Sequence, residues 1–474
     1  MAYRYGDRCQ KTLFPQSIDE YIPGDAPVRA YDVIIGSLDF DELGIKVDPH
    51  KVGCPQYDPK VMLKLLVYGY SYGVRSSRKL EREANYNLSF IWLTGGLKPD
   101  HKTIAEFRRK NKTGLQKVLK QCAKLCIRLG LIEGNTLFVD GSKMKANASM
   151  KNNWTEKRCQ KSLRNIDKRI KDILVECEAL DDQEEQQQSL VKMRQGLEDH
   201  EALKCKVKDI LCELRAEEKK SINTTDPDSR SMCTKQGPGA AYNSQITTDE
   251  KHGLIVNSDV VSENHDYHQF SNQVNQANEV LDKPCETACA DAGYSDTNSM
   301  ADVDEQGIKI IVPSQRQACK KEPKEFDKSW FKYDSRDDVY ICPEGHVLKY
   351  CSKNEKRKMR YYAAGAVCKS CKHFGRCTTN KRDGRKILRL FKEGLREKLE
   401  KAYGLPTSQK IYAIRKQKAE LPFGHFKHNL EANRFLLRGL DGVKAELSIL
   451  SGCFNITRMI NIIGVCDLVD KLAS

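Results

Sequence analysis

The stretch TLFVDGS at residues 136–142 decides the interpretation of the fold. A β-prone apolar run leads into Asp140, which predicts this carboxylate inside a buried strand or at its end. Residues 288–291, ACAD, repeat the pattern and carry Asp291. A third acid, Glu420, opens the segment ELPFGHFK at residues 420–427. Carboxylates at the ends of buried strands lie at the edge of a sheet, where they face solvent.

Each of these acids has an ordinary explanation when it is considered alone. A single Asp after a strand is usually a turn or cap residue, and a Glu near a helix start complements the helix dipole. Three carboxylates brought together would instead hold divalent cations, because hard cations prefer oxygen ligands. Cations held over a phosphodiester are the means of nucleic-acid strand transfer.

The surroundings of Glu420 indicate a helix with one functional face. Pro422 would be costly deep inside a helix but is tolerated in the first turn. Glu420 is therefore predicted near a helix start or at a kink. Glu420, Gly424 and Lys427 follow at i, i+4 and i+7, which places them on one face. Lys427 could then reach the same phosphate as the carboxylate.

Composition sets the broad class of the protein. The chain has 474 residues with 39% hydrophobic content, enough for two to four domains with cores of their own. It has no apolar run long enough for a membrane span, and its first residues show no apolar signal region. The 19 cysteines are therefore expected to be mostly reduced thiols, and a cytoplasmic location is predicted.

The positive charge is concentrated in one segment. Residues 344–427 contain 23 Lys or Arg and 7 Asp or Glu, a net charge of +16. The whole chain has a net charge of +15, so this segment accounts for all of the positive excess. The remainder has 57 basic and 58 acidic residues and is nearly neutral. Such a block favours nucleic acid as the partner. A solvated surface and an acidic protein partner are the alternatives.

The order of predicted elements along the chain indicates an α/β protein in several parts. A mixed sheet is predicted from the order strand, hairpin, helix, strand, strand, and a helix is predicted over residues 384–402. DNA contact by the N-terminal part is an open alternative to a plain helical bundle. The predicted parts are a helical N-terminal domain at 1–130, the first part of the catalytic core at 131–325 with a coiled-coil-like helical hairpin at 152–220, a small β-rich, cysteine-rich insertion at 326–380, and the completion of the core with the Glu420 helix at 381–474.

Four cysteines form a second constellation, Cys342, Cys368, Cys371 and Cys377. A Cys-x2-Cys pair with two further cysteines is sufficient for a tetrahedral structural zinc site, and a hairpin could span the long first gap. The alternative is a set of free thiols in a basic loop region. His346 and His373 are substitute ligands.

Two further polar segments favour ordinary structural roles. His265 and His268 are spaced for a metal pair, but no carboxylate motif accompanies them, so they are interpreted as the polar start of a helix. Asp226 and Asp228 stand in a Pro-containing loop that is typical of turn chemistry.

A resemblance to a known family joins these observations. Tyr412, Arg415, Glu420 and Lys427 follow the spacing Tyr-x2-Arg-x4-Glu-x6-Lys. This is similar to the Tyr-x2-Arg-x3-Glu-x6-Lys signature of bacterial insertion-sequence transposases of the DDE type, with one extra residue before Glu420. Further segments are similar to that family in amino-acid sequence and in their order along the chain: 99–104 (PDHKTI), 138–142 (FVDGS), 226–230 (DPDSR), 290–294 (ADAGY) and 433–440 (NRFLLRGL).

The resemblance implies both a fold and an activity. It implies an RNase H-like catalytic domain in which Asp140, Asp291 and Glu420 bind two Mg²⁺ or Mn²⁺ ions. Cleavage at the terminal inverted repeats of a transposon and transfer of the 3′-hydroxyl into target DNA would follow.

The resemblance also implies the residues that contact DNA and the state of assembly. DNA contacts are expected from Lys427, Arg415, Tyr412 and Lys143, and assembly on DNA as a homodimer or higher oligomer is expected. The loop at Asp226 and Asp228 would lie near the catalytic centre. A structure-specific nuclease of the same fold and a catalytically silent DNA-binding regulator remain the alternatives.

Overall fold

The structure is a computed structural model that describes residues 17–46, 56–181, 187–217, 219–319, 325–356 and 358–473. Side chains are described for these residues except 176–181, 187–194 and 473. The N-terminal residues on which the prediction of no leader rests lie outside the described residues. So do residues 47–55 of the predicted N-terminal domain and the tip of the predicted helical hairpin at 182–186.

The chain alternates between helical and β-rich regions. The helices are α1 Pro27–Gly36, α2 Phe40–Leu43, α3 Pro59–Ser71, α4 Ser77–Tyr86, α5 Leu88–Leu93, α6 His101–Lys110, α7 Lys112–Gln116, α8 Val118–Arg128, α9 Glu156–Asp181, α10 Gln187–Ala216, α11 Phe270–Leu281, α12 Thr297–Asp304, α13 Gln315–Cys319, α14 Glu393–Gly404, α15 Pro406–His428, α16 Leu440–Ile463 and α17 Val465–Ala473. The strands are β1 Thr136–Lys145, β2 Asn153–Trp154, β3 Ile222–Asn223, β4 Arg230–Thr234, β5 Gly237–Asp249, β6 Ile255–Val261, β7 Thr287–Cys289, β8 Lys309–Ile311, β9 Lys332–Asp334, β10 Val339–Ile341, β11 Val347–Asn354, β12 Met359–Ala363 and β13 Lys386–Leu390.

Local sequence signals explain where several helices begin. Asp58 accepts a hydrogen bond from the Lys60 backbone N–H at 2.8 Å, and Pro59 takes the first helical position of α3. Asp100 accepts from the Thr103 backbone N–H at 2.8 Å and caps α6. A short side-chain acceptor satisfies a backbone donor that the first turn leaves without a partner.

The central sheet is mixed and is built around β1. Its order is β4-β5-β1-β7-β8, and β6 pairs with β5 next to β4. β1 runs antiparallel to β5 and parallel to β7. Residues 136–140 of β1 are all buried, which explains the continuous apolar run that precedes Asp140: a strand covered on both faces needs apolar side chains in both directions.

Helices cover both faces of this sheet. On one face Phe138, Cys289 and Ile311 pack against Ala419 and its neighbours in α15. On the other face Leu137 and Val139 belong to the main core with residues of α8, α11 and α16. Side chains alternate along a strand, so Asp140 shares the α15 face with Phe138, and Gly141 shares the opposite face with Val139.

The N-terminal helices share the main core with α16. α3, α7 and α8 pack on α16, and apolar residues from all four elements belong to one hydrophobic cluster. The boundary near residue 130 stays a prediction.

A buried ion pair connects these regions. Arg75 donates to the Glu446 carboxylate at 2.8 Å, and both side chains are almost fully buried. Arg75 also donates to the backbone carbonyls of Glu431 and Arg434. Burial raises the pKa of Glu446, which Arg75 opposes. Glu446 also accepts from the backbone N–H groups of Leu436 and Leu437, so its lone pairs are satisfied as burial requires.

The loop at 226–229 supports the start of α16. The buried Asp226 accepts from the Tyr242 hydroxyl at 2.6 Å and from the Gly439 backbone N–H at 3.2 Å. Asp228 accepts from the Leu440 backbone N–H at 2.9 Å. These contacts agree with the turn and cap chemistry expected of short acidic side chains.

The segment between β2 and β3 forms two long helices with a small core of their own. α9 and α10 pack antiparallel, because Glu156 contacts Arg215 and Asp167 contacts Lys204. Cys159, Ile166, Val207 and Leu214 are buried between them. The two ends of the segment meet where β2 pairs with β3.

The cysteine-rich region is a second, antiparallel sheet of order β13-β12-β11-β10-β9. Phe331, Tyr340, Leu348, Tyr362 and Ile387 form its separate core. The prediction of a continuous helix over residues 384–402 was wrong in its first part. Residues 386–390 form β13, which pairs with β12, and α14 begins only at residue 393. Pairing with a neighbouring strand outweighs the weak helical preference of KILRL.

Among the described residues, no single helix is both long and apolar enough to cross a membrane. Only α16 and α17 would qualify on length and composition, and only as a pair that bends by 105°.

The Arg75–Glu446 pair gives a test of the shared core. We expect Arg75→Met to lower the free energy of unfolding by about 3–5 kcal/mol, because it leaves a buried carboxylate without its cation. The denaturation midpoint in urea measures this. Arg82→Met is the control, since Arg82 pairs with Glu83 at the surface and exposed pairs contribute about 1 kcal/mol or less. Equal effects of the two variants would contradict the structural role of Arg75.

Candidate functional site

Asp140 and Asp291 lie at the same level of the central sheet. Phe138 of β1 pairs with Cys289 of β7, and each Asp lies two residues beyond this pair. β1 continues to residue 145 because it remains paired with β5. Asp140 is therefore inside β1, which is one of the two positions that the sequence predicted. The neighbouring strand β7 ends before it reaches the level of Asp140. Asp291 caps the turn that follows β7 by accepting from the Gly293 backbone N–H at 2.7 Å.

Glu420 approaches from α15, which packs across β1. Its neighbour Ala419 is fully buried against Phe138, while the Glu420 side chain is 48% exposed. Of the two places predicted for Glu420, the helix start was wrong, and the kink stays a prediction. α15 begins at Pro406, and Pro422 lies inside the helix. Packing of α15 against the sheet outweighs the local cost of an internal proline.

Arg415 joins two of the three acids. Its Nη1 lies 3.7 Å from Asp140 Oδ1, and its Nη2 lies 3.9 Å from Glu420 Oε1. The guanidinium is largely buried and its Nη1 has no hydrogen-bond partner among the described residues. Its other side faces the ring of Tyr412, 5.6 Å from the ring centre. A planar cation suits this arrangement, since it can contact two carboxylates and an aromatic ring together.

Burial raises the pKa of Asp140 to about 7. Arg415 acts in the opposite direction, and the negative charges of Asp291 and Glu420 raise the pKa further. The charges of two carboxylates raise the pKa of a third only when they lie near it. Asp291 and Glu420 therefore lie near enough to Asp140 for their charges to raise its pKa.

Lys427 lies on the same side of the sheet. Its ammonium donates to the Ser142 hydroxyl at 2.7 Å, two residues beyond Asp140. Burial lowers the pKa of Lys427, Lys235 lowers it further, and Asp140 opposes both. Glu420 and Lys427 are both on α15, so one helix brings an acid and a base to the edge of β1.

Gly141 is required by close packing on the opposite face of β1. A Cβ at this position would lie 2.5 Å from Gln245 Nε2, 2.7 Å from Asp266 Oδ1 and 2.9 Å from the Tyr294 hydroxyl. Any larger residue next to Asp140 would displace these groups. The motif Asp-Gly-Ser therefore places a carboxylate on one face of β1 and, on the other face, a residue without a side chain that leaves room for these three groups.

Asp266 is a fourth carboxylate that sequence reasoning missed. Its Oδ1 accepts from Asn243 Nδ2 and Gln245 Nε2, both at 2.7 Å. Gln245 also accepts from the Tyr294 hydroxyl, which ties the turn after Asp291 to β5. Asp266 stands in the segment interpreted as a polar helix start, and no local spacing distinguishes it from a cap. Lys143 lies on this same face, away from Asp140.

The four cysteines predicted as a zinc site line one small cavity in the second sheet, of about 30 Å³. Burial raises the pKa of Cys377, and Cys368, Cys371 and Cys342 raise it further while Arg385 opposes them. Of the substitute ligands, His373 contacts Glu344 at 3.1 Å. The cysteines whose side chains the structure describes are free thiols.

Neither constellation is closed around a common point. Within the ranges that the structure describes, no three His, Cys, Asp or Glu side chains are grouped in a way that could hold a metal ion. At the carboxylates, the Arg415 guanidinium takes the position between Asp140 and Glu420.

Comparison with known families agrees with this architecture. Residues 16–110 match the family described as "Transposase domain (DUF772)", and residues 341–460 match the "Transposase DDE domain". Glu420 lies inside the second match, and Asp140 and Asp291 lie between the two. Neither a curated protein nor a solved structure matches the chain.

The two matched domains, together with the fold, support the class of transposases. They support in particular an insertion-sequence transposase of the DDE type. The matched DDE domain implies an RNase H-like fold, with which the central mixed sheet and its covering helices agree.

The buried Asp140 gives a pH-dependent test. Its pKa of about 7 in the folded chain exceeds the ordinary value of 3.8. Between these values the unfolded chain loses the proton first, so this group lowers stability as pH rises and its full cost remains above pH 7. We expect Asp140→Asn to be more stable than the parent at pH 8, by on the order of 2–4 kcal/mol. The difference should vanish near pH 4, as measured by urea denaturation at both pH values. The same difference in stability at both pH values would contradict a buried carboxyl with a raised pKa.

Proposed function

We propose that the chain cleaves DNA at the ends of its transposon and joins the released 3′-hydroxyl to target DNA. The observation that carries this proposal is the placement of Asp140 and Asp291 at one level of the sheet, with Glu420 connected to Asp140 through Arg415. Carboxylates from one strand, from the turn after a second strand and from one helix then lie at the same edge. Phosphoryl transfer needs such a group of acids and no nucleophile from the protein.

We propose Asp140, Asp291 and Glu420 as the residues that would hold two Mg²⁺ or Mn²⁺ ions. Their oxygen donors fit hard cations. When bound, the ions would supply activation of the attacking oxygen and stabilisation of the leaving oxygen. The present spacing requires one change: Arg415 has to turn its guanidinium away from Asp140 before the carboxylates can close. The charge of Arg415 offsets the repulsion between the acids until then.

The basic residues around the acids would orient the DNA backbone. Arg415 lies 3.7 Å from Asp140 and packs against the ring of Tyr412. Lys427 contacts Ser142, two residues beyond Asp140. Once it has turned away from the acids, Arg415 could contact a phosphate in a bidentate way. The positive block at residues 344–427 would bind transposon-end and target DNA with a strong dependence on salt. Binding by a homodimer or higher oligomer remains part of this proposal.

Substitution of each acid tests the proposed centre. We expect Asp140→Ala, Asp291→Ala and Glu420→Ala to abolish cleavage of transposon-end DNA in the presence of Mn²⁺, while binding of the same DNA is retained. Glu133→Ala is the matched control, because Glu133 pairs with Lys251 at the surface. A gel assay for cleavage and an electrophoretic mobility assay for binding give the two readouts. Normal cleavage by any one of the three variants would reject the role of that residue.

Two alternatives are separated by a second assay. A structure-specific nuclease would cut DNA but would not join ends, and a silent regulator would bind without cutting. A pre-cleaved end with a free 3′-hydroxyl, mixed with plasmid target, gives a joined product only for the proposed transposase. All three acids are present, which favours the active enzyme over the silent regulator.

We also propose a structural zinc ion at Cys342, Cys368, Cys371 and Cys377. The four thiols line one cavity and interact electrostatically, and tetrahedral thiolate coordination is typical of such small sheets. Their side chains have to move inward to complete the coordination, because the thiols are not yet grouped closely enough.

The zinc proposal predicts a difference between two cysteines of this region. We expect Cys371→Ser to lose zinc, measured by elemental mass spectrometry of the purified chain, and to melt at a lower temperature. Cys351→Ser is the control, since Cys351 is exposed on β11 in the same region. Zinc removal by a chelator that leaves both melting and DNA cleavage unchanged would contradict a structural role.

A further inference from the structure

A polar groove opens on the face of β1 opposite to Asp140. It has a volume of about 1070 Å³ and is called the basic groove below. Lys143 of β1, the segment 219–221 at the base of the helical insert, Arg230 of β4 and the loop at 262–268 line it. Its inner end reaches Gly293, two residues beyond Asp291. The basic groove therefore leads from the proposed catalytic edge to the base of the insert.

Three of the four basic residues that line this groove are not paired with acids. In the part of the chain that is described, Lys143 and Lys220 form no ion pair, and Arg230 donates only to the carbonyls of Pro227 and Ser229. Lys219, by contrast, pairs with Glu213 and Glu217. Three cations thus remain available for a polyanion.

The two acids of the groove already have partners. Asp266 accepts from the side-chain amides of Asn243 and Gln245, and Glu263 accepts from Gln269 Nε2 at 2.8 Å. With four basic and two acidic residues in the lining, the groove keeps a positive balance.

An aromatic ring stands among these charges. Tyr267 is 42% exposed, and its ring packs edge-on against His268 with centres 5.0 Å apart. His268 is fixed in turn by Asp296, 2.8 Å from its Nδ1. The ring of Tyr267 is therefore partly exposed, as stacking with a flat ligand requires.

We propose that the basic groove binds a single strand of DNA, with phosphates along Lys143, Lys220 and Arg230 and one base stacked on Tyr267. Basic grooves with a stacking aromatic residue are typical of single-strand binding. A duplex is excluded from the stacking contact, because its bases already stack on one another. The inference rests on the proposed function for the source of the strand, which would be the DNA that flanks the cleaved phosphate.

Binding of a labelled oligothymidylate of about 12 nucleotides to the full chain tests this. Fluorescence anisotropy is measured without added Mg²⁺ or Mn²⁺ and without a chelator, so that cleavage does not interfere and the proposed zinc ion is retained. We expect Tyr267→Ala to weaken binding about tenfold and Tyr267→Phe to bind within about twofold of the parent, since stacking needs the ring and not the hydroxyl. Equal losses in the two variants, or no loss in Tyr267→Ala, would overturn the stacking assignment.

The phosphate contacts are tested by salt dependence. We expect Lys220→Ala/Arg230→Ala to reduce the slope of log affinity against log salt by about 1.4, which corresponds to two lost phosphate contacts on a single strand. Lys251→Ala/Lys283→Ala is the matched control. It removes the same charge at the opposite end of the sheet, where Lys283 contacts Asn135 just before β1. Equal slopes for the two double variants would overturn the assignment of the groove.

The outcome is independent of the test of catalysis. If transposon ends are cleaved normally but the groove variants bind single strands like the parent, the groove proposal fails and the proposed function stands. If single-strand binding depends on the groove but no DNA end is ever cleaved, the proposed function fails and the groove proposal stands.

Discussion

The buried pair of Arg75 and Glu446 is the constraint on which the arrangement of the chain depends. A buried charge is tolerated only when its partner and its hydrogen bonds are all in place. Arg75 comes from the first family match and Glu446 from the second, and the same Arg75 fixes the carbonyls that follow α15. The end of the helix that carries Glu420 and Lys427 is therefore positioned by a residue near the N-terminus. Correct docking of the N-terminal helices becomes a condition for a correctly placed Glu420.

The centre itself shows a balance between burial and charge. Asp140 is held where water is scarce, which would strengthen any electrostatic interaction with a cation or phosphate. The same burial makes the unpaired anion costly, and Arg415 reduces that cost from one side. One helix, α15, thus supplies an acid, a neutralising base and the apolar face that covers β1. Packing and electrostatics are tied to a single element, so neither can change without the other.

Sequence reasoning predicted the parts that depend on local pattern. The apolar run before Asp140 indicated a buried strand, and the spacing around Glu420 indicated one helix with Lys427. Effects of distant partners were not predictable from the sequence. β1 extends past Asp140 because β5 pairs with it, Pro422 lies within α15 because the sheet supports that helix, and residues 386–390 are a strand because β12 lies beside them. Asp266 was missed for the same reason, since only folding brings it beside Gly141.

The two-helix segment α9–α10 joins the rest of the chain in a way that tolerates changes in its length. Both of its ends meet at the short β2–β3 pair, and its core is separate from that of the sheet. Length can therefore be gained or lost between these ends without disturbing the register of β1, because a segment that leaves and returns at one point imposes no strain on its surroundings. The junction is a natural place to graft a foreign domain, such as a sequence-specific DNA reader, onto the intact catalytic chain.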